Sequence, residues 1–150
     1  MCPKLHRSTR RPTGPQRQRG AAIVEFALVA MIFLTALIGT MEFGRWLFTL
    51  NAASEATRLG ARLAVVCSIG DADIKARMRQ ILASLTDAQI DVAYAPAGCD
   101  ASNCKTVTVK LSGATFTPVV PFMGTAAALP PFTTSLPREY MNSAGNPVCS

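Results

Sequence analysis

The sequence predicts an α+β chain with a long N-terminal helix, transmembrane in its first half. A second short helix and a small antiparallel β-rich head follow. Three observations carry this. Residues 21–41 are an almost uninterrupted apolar run of 21 residues. Residues 72–85 carry apolar side chains at helical spacing, and two later segments alternate apolar and polar residues at period two. The boundaries that follow are a basic leader at 1–20, a membrane helix at 21–44, and a helix plus β-rich head at 45–150. With 150 residues, 49% hydrophobic and 16% charged, the chain holds enough apolar surface for a core.

The charge is unevenly spread. Six of the 15 basic residues and none of the 9 acidic ones lie in residues 1–20, leaving nine of each sign in 21–150. The basicity therefore belongs to the leader. It gives the body no nucleic-acid footprint, so no nucleic-acid partner is expected. Pro3, Pro12, Pro15 and Gly14 argue against a packed element there.

From Ala21 the character changes. Twenty-one helical residues rise roughly 31 Å, against ~30 Å for the hydrocarbon core of a bilayer. Trp46 and Phe48 follow at the far end, where interfacial aromatics belong. The leader's charge keeps the N-terminus cytoplasmic and sends the head to the other side. An uncleaved signal anchor and a removed signal peptide compete for the same segment. The apolar run exceeds the usual signal-peptide core and contains Glu25.

Glu25 needs a reason, because a charge inside a membrane helix costs about 2.5–3.5 kcal/mol at the centre and less near an end. A basic tail, Gly20, four small or apolar residues and then Glu25 resemble the processing site of type IV pilins and pseudopilins. That resemblance implies a prepilin peptidase cutting between Gly20 and Ala21, which makes Glu25 the fifth residue of the mature chain. The freed α-amino group is mostly protonated near neutrality. The glutamate of a neighbouring subunit would pair with it where an unpaired charge is costly.

Two further blocks extend the likeness. Arg19-Gly20 through Val24-Glu25-Phe26-Ala27 is followed by Glu42-Phe43-Gly44-Arg45, then by Ala56-Thr57-Arg58-Leu59-Gly60-Ala61-Arg62. In that order and spacing they resemble the TadE-like proteins of the tight-adherence (Flp-type) pilus system. The resemblance covers about residues 19–66. It implies a pilin-like fold and a pseudopilin-like role in pilus assembly. The implied partners are the bacterial inner membrane, the prepilin peptidase, other pilins or pseudopilins and the assembly machinery. The implied placement is single-pass, with the C-terminal domain extracytoplasmic. The alternative is an uncleaved single-span scaffold or binding protein.

Beyond the membrane, helix signals continue through Trp46–Val66, with Ala52, Ala56, Gly60 and Ala64 on one face. Arg58 and Arg62 share another, and a solvated face is their plainest reading. Gly70 breaks the pattern, and Asp71 or Asp73 caps a second helix over about Ala72–Leu85. Strands are expected at Gln89–Ala95 and Lys105–Leu111, forming a hairpin. A further strand is expected at Thr115–Val120, and an edge strand at Phe132–Leu136.

Five cysteines become four once Cys2 leaves with the leader. Cys67, Cys99, Cys104 and Cys149 allow three pairings. Cys99–Cys104 closing a short loop and Cys67–Cys149 pinning the C-terminal segment are favoured. A zinc site, the alternative, lacks any C-x2-C spacing. No metal or other cofactor is expected. Nor is enzymatic activity: the sole histidine, His6, lies in the leader, and no nucleotide-binding or nucleophile-elbow motif occurs.

Overall fold

The computed structural model describes residues 19–120, 124 and 126–149. All of the leader except Arg19 and Gly20, with Cys2 and His6, lies outside the described residues. The chain divides into two compact units, residues 1–39 and 40–150.

In the first unit the described residues are wholly helical, the opening part of α1 (Arg19–Val66). Their large apolar side chains face outward: Ile23, Phe26, Ile32 and Phe33 are all more than 60% exposed. A globular protein does not present such a run to water. The helix is long and apolar enough to cross a membrane.

In the second unit the rest of α1 turns amphipathic. Ala53, Ala56, Ala61 and Ala64 are completely buried, and Ala52 and Gly60 are buried with them. A small-residue face lets the rest of the head approach closely. α2 (Ala72–Ile81) contributes the buried side chains Ile74 and Met78. Its N-cap is Asp71, whose carboxylate accepts the Asp73 N–H at 3.0 Å.

α2 is one turn shorter than its apolar spacing predicts. Leu82 leaves the helix with extended backbone (φ −131°, ψ 91°), although Leu82 and Leu85 both stay buried. Thr86 supplies the physical reason. Its N–H donates to the Gln89 side chain at 2.9 Å, starting a 3-10 turn, Asp87–Gln89, that delivers the chain into the sheet.

The sheet has the order β1-β2-β5, antiparallel throughout. Its strands are β1 (Ile90–Ala95), β2 (Thr106–Leu111) and β5 (Phe132–Pro137). The register sets Ile90, Val92 and Tyr94 opposite Leu111, Val109 and Val107, and these opposite Phe132, Thr134 and Leu136. That face joins the small-residue side of α1 in one core. Val107 and Val109 on the central strand have no exposure at all. Polar residues take the other face, where the Thr108 and Ser135 hydroxyls lie 3.0 Å apart.

The strand expected at 115–120 shrinks to two residues, β3 (Thr115–Phe116), because Pro118 cannot donate to a ladder. β3 pairs with an unanticipated partner, β4 (Ala127–Ala128).

The C-terminal segment closes the far end of α1. The Glu139 and Met141 N–H groups donate to the Val65 carbonyl, and the Asn142 N–H to that of Val66. These carbonyls have no partner within the helix itself. Met141 holds left-handed backbone (φ 49°), unusual for a non-glycine residue, and is buried. Ser68 and Ser143 exchange two hydrogen bonds, each hydroxyl accepting the other residue's N–H. The Ser143 hydroxyl also donates to Asp71.

Candidate functional site

Gly20, Ala21 and Glu25 lie on the first turns of α1, all exposed. A Cβ built on Gly20 meets no atom within 4 Å. Nothing in the fold demands glycine there, and a helical glycine costs about 1 kcal/mol relative to alanine. Glu25 has no hydrogen-bond or ion-pair partner among the described residues. It is a carboxylate standing on an outward-facing apolar helix.

The Glu42-Phe43-Gly44-Arg45 block behaves differently. The sequence places Glu42 inside the span, but it packs in the second unit and is 6% exposed. The Arg45 guanidinium, about half exposed, donates to both carboxylate oxygens at 2.9 and 3.0 Å. Oε1 also accepts the backbone N–H of Val119 at 3.2 Å, 77 residues away. The same guanidinium lies 5.4 Å from the centre of the buried Phe116 ring. Glu42 and Arg45 thus clamp the segment after β3 onto α1. Phe43 faces outward, 5.9 Å centre to centre from the half-buried Trp46 ring. Gly44 is open to added side-chain volume.

This clamp gives a first expectation. Glu42→Ala strands a backbone N–H and half an ion pair, a loss of about 1–3 kcal/mol. Glu42→Gln, which keeps an acceptor, loses less. Urea unfolding of the full chain in detergent measures both. Equal midpoints for wild type and Glu42→Ala would rule out the clamp.

In the third block the four motif residues divide cleanly. Arg58 and Arg62 are exposed, while Gly60 and Ala61 are buried. Gly60 faces α2: an ideal Cβ there would sit 2.4 Å from the Sδ of Met78, which has no exposed surface. Gly60→Val therefore overpacks the α1–α2 contact. The expected loss is about 1–3 kcal/mol, partly offset because valine is the better helix former. Gly60→Val with Met78→Ala should recover part of that loss in the same measurement, and no recovery would mean that the two side chains do not compete for space.

The four cysteines among the described residues form two bonded pairs. Cys67 joins Cys149 with Cα atoms 5.6 Å apart, and Cys99 joins Cys104 at 5.0 Å. These are the pairs the sequence favours, and they leave no set of four thiolates for zinc. The short loop sits at the tip of the β1–β2 hairpin. There the Ser102 and Asn103 donors hold the Asp100 carboxyl below the usual carboxylate range, Ser102 most strongly.

A cleft of about 410 Å³ runs beside the start of α2, lined by Gly70, Asp71, Lys75, Asp91 and Tyr94 among others. Burial pushes the Tyr94 phenol up; the nearby Asp71 charge adds to this and a Gly70 backbone contact opposes it. Asp71 is already engaged as cap and as Ser143's acceptor.

Sequence reasoning missed Val119, Phe116 and Met78 as members of these constellations. Val119 contributes only a backbone N–H, which leaves no signal in residue type. Met78 belongs to the apolar spacing of residues 72–85, a pattern that does not identify Gly60 as its partner.

Fold and site together define a class: a membrane-span-capable helix continuing into a disulfide-tied α+β head, with a buried glutamate clamp where the helix enters that head. Residues 20–62 match the family model described as TadE-like protein. Over that segment the chain is similar to the TadE-like family, and with its span-capable helix it fits a pilus-associated membrane protein. No curated protein matches the chain, and no solved structure matches it.

Proposed function

We propose that this chain is a pseudopilin-like subunit assisting assembly of a tight-adherence (Flp-type) pilus. Its precursor is cut by a prepilin peptidase between Gly20 and Ala21. It acts as a single-pass protein of the bacterial inner membrane, with the head on the extracytoplasmic side. Its partners are other pilins or pseudopilins and the assembly machinery. Its role is structural rather than catalytic.

One observation carries this reading: Glu25 is exposed, unpartnered among the described residues, and surrounded by apolar side chains that are also exposed. A carboxylate so placed gains most from a cation supplied by a second molecule. The α-amino group of a neighbouring subunit cut at Ala21 is such a cation. Association of the apolar helices then follows with Glu25 fixing their register.

The test is the intact mass and N-terminal sequence of the membrane-extracted protein. A start at Ala21 is expected, and a start at Met1 would return the chain to an uncleaved anchored scaffold. Glu25→Ala should insert into the membrane normally while pilus yield falls steeply. Undiminished pili on electron micrographs would remove the register role.

A further inference from the structure

The apolar surface of this molecule does not end with the N-terminal run of α1. Val119 is 71% exposed, the most exposed large aliphatic residue of the second unit. It sits on the segment that Glu42 holds to α1 through the Val119 N–H. That bond sets its level along the helix at Glu42, the far end of the stretch the sequence assigns to the bilayer. At the same level of α1, Met41 and Phe43 are 64% and 57% exposed, and Phe48, about 9 Å further along the helix, is 70% exposed. Arg45, half exposed, stands among them. Elsewhere in the described head Ile69, Tyr140 and Val148 are exposed toward the far end of α1, while the outer sheet face carries Thr106, Thr108, Lys110 and Ser135, and α1 beyond carries Arg58 and Arg62. Exposed apolar side chains and a snorkelling arginine at one level are the chemistry of a membrane–water boundary.

We propose that the Thr117–Val120 segment is a second membrane contact. Val119 seats among the outermost acyl carbons of the leaflet where α1 emerges, and the Glu42–Arg45 pair lies at headgroup level. The occupant of this surface is phospholipid, by continuity with the exposed apolar side chains Met41 and Phe43 of α1 at the same level. The head is then held by two points, the helix and the loop, which restrains its tilt against the bilayer surface. This inference rests on α1 spanning a bilayer and not on the pilus role.

The single tryptophan, Trp46, makes the test direct. The full chain is placed in phosphatidylcholine vesicles, with or without acyl chains brominated near their headgroup end. Three proteins are compared: wild type, Trp46→Phe/Val119→Trp and Trp46→Phe/Tyr140→Trp. Tyr140 is the control. It is 75% exposed, and its neighbours' N–H groups donate to the Val65 carbonyl. By helical rise, that carbonyl lies roughly 35 Å along α1 from Glu42. Both substituted positions are exposed, and intact disulfides by mass confirm the fold.

The expected result is blue-shifted emission from the tryptophan at 119, with bromine quenching comparable to that of Trp46, and no quenching at 140. Quenching of Trp46 but not of position 119 would overturn the proposal and leave the loop as a protein-facing surface. Loss of quenching at Trp46 as well would place this level of α1 outside the leaflet and overturn the loop contact with it. Neither outcome alters where the precursor is cut, so failure here is separable from failure of the pilus reading.

Discussion

A full-length precursor should accumulate when Gly20 is replaced by leucine. Under the proposed function the effect is all or none, because the scissile bond follows that residue. The structure makes the experiment unusually clean. A Cβ at Gly20 meets nothing within 4 Å, so the larger side chain has room and the fold has no use for the glycine. Helix propensity favours leucine over glycine by somewhat less than about 1 kcal/mol. Membrane insertion and head stability should therefore be unchanged, and any failure to trim reports on the peptidase alone. Gel mobility and intact mass of the variant decide it. Ordinary trimming of Gly20→Leu would end the peptidase reading.

The second large effect concerns stability. Replacing Cys67 and Cys149 together with alanine removes a crosslink spanning 82 residues. The chain-entropy model assigns such a loop about 4–5 kcal/mol, against about 2 kcal/mol for the Cys99–Cys104 loop. Both cysteines of the long pair are buried, so alanine also leaves small voids. The urea midpoint of the full chain in detergent should fall far more for this pair than for the hairpin pair. Equal shifts would show that the closure of residues 139–149 over α1 is held by its hydrogen bonds and packing instead.

Much of this architecture is legible in the sequence because its signals are local. The apolar run, the alternation of Val107, Val109 and Leu111, and the cap at Asp71 are each read within a few residues. The end of α1 at Val66 was also readable, since Gly70 follows closely. The parts that escaped are set by distant partners. Leu82 stays apolar and helix-spaced, yet α2 stops because Thr86 and Gln89 organise the next turn. β4 is two alanines, residues without strand signature, paired only because β3 lies beside them. The site divides in the same way. Glu25 stands out as a charge in an apolar run, and the role proposed for it comes from the resemblance of residues 20–25 to a pilin processing site. Glu42 looks like a second intramembrane charge, but its backbone partner at Val119 lies 77 positions on and carries no side-chain signal.

The three glycines of the motif blocks then sort by cause. Gly60 is required from within, by Met78. Gly20 and Gly44 are not, since added volume there meets open space. The packing of the fold makes no demand for glycine at those two positions.

The cap that residues 139–143 place on the end of α1 has a consequence for biogenesis. A ribosome completes α1 some seventy residues before it makes the groups that satisfy the Val65 and Val66 carbonyls. Until then the helix terminus frays in water, and the buried alanine face of α1 waits for the sheet, whose last strand, β5, ends only at Pro137. The nascent head is therefore a late-closing structure. A chain truncated before Glu139 would keep β1, β2 and β5 but leave the Val65 and Val66 carbonyls uncapped.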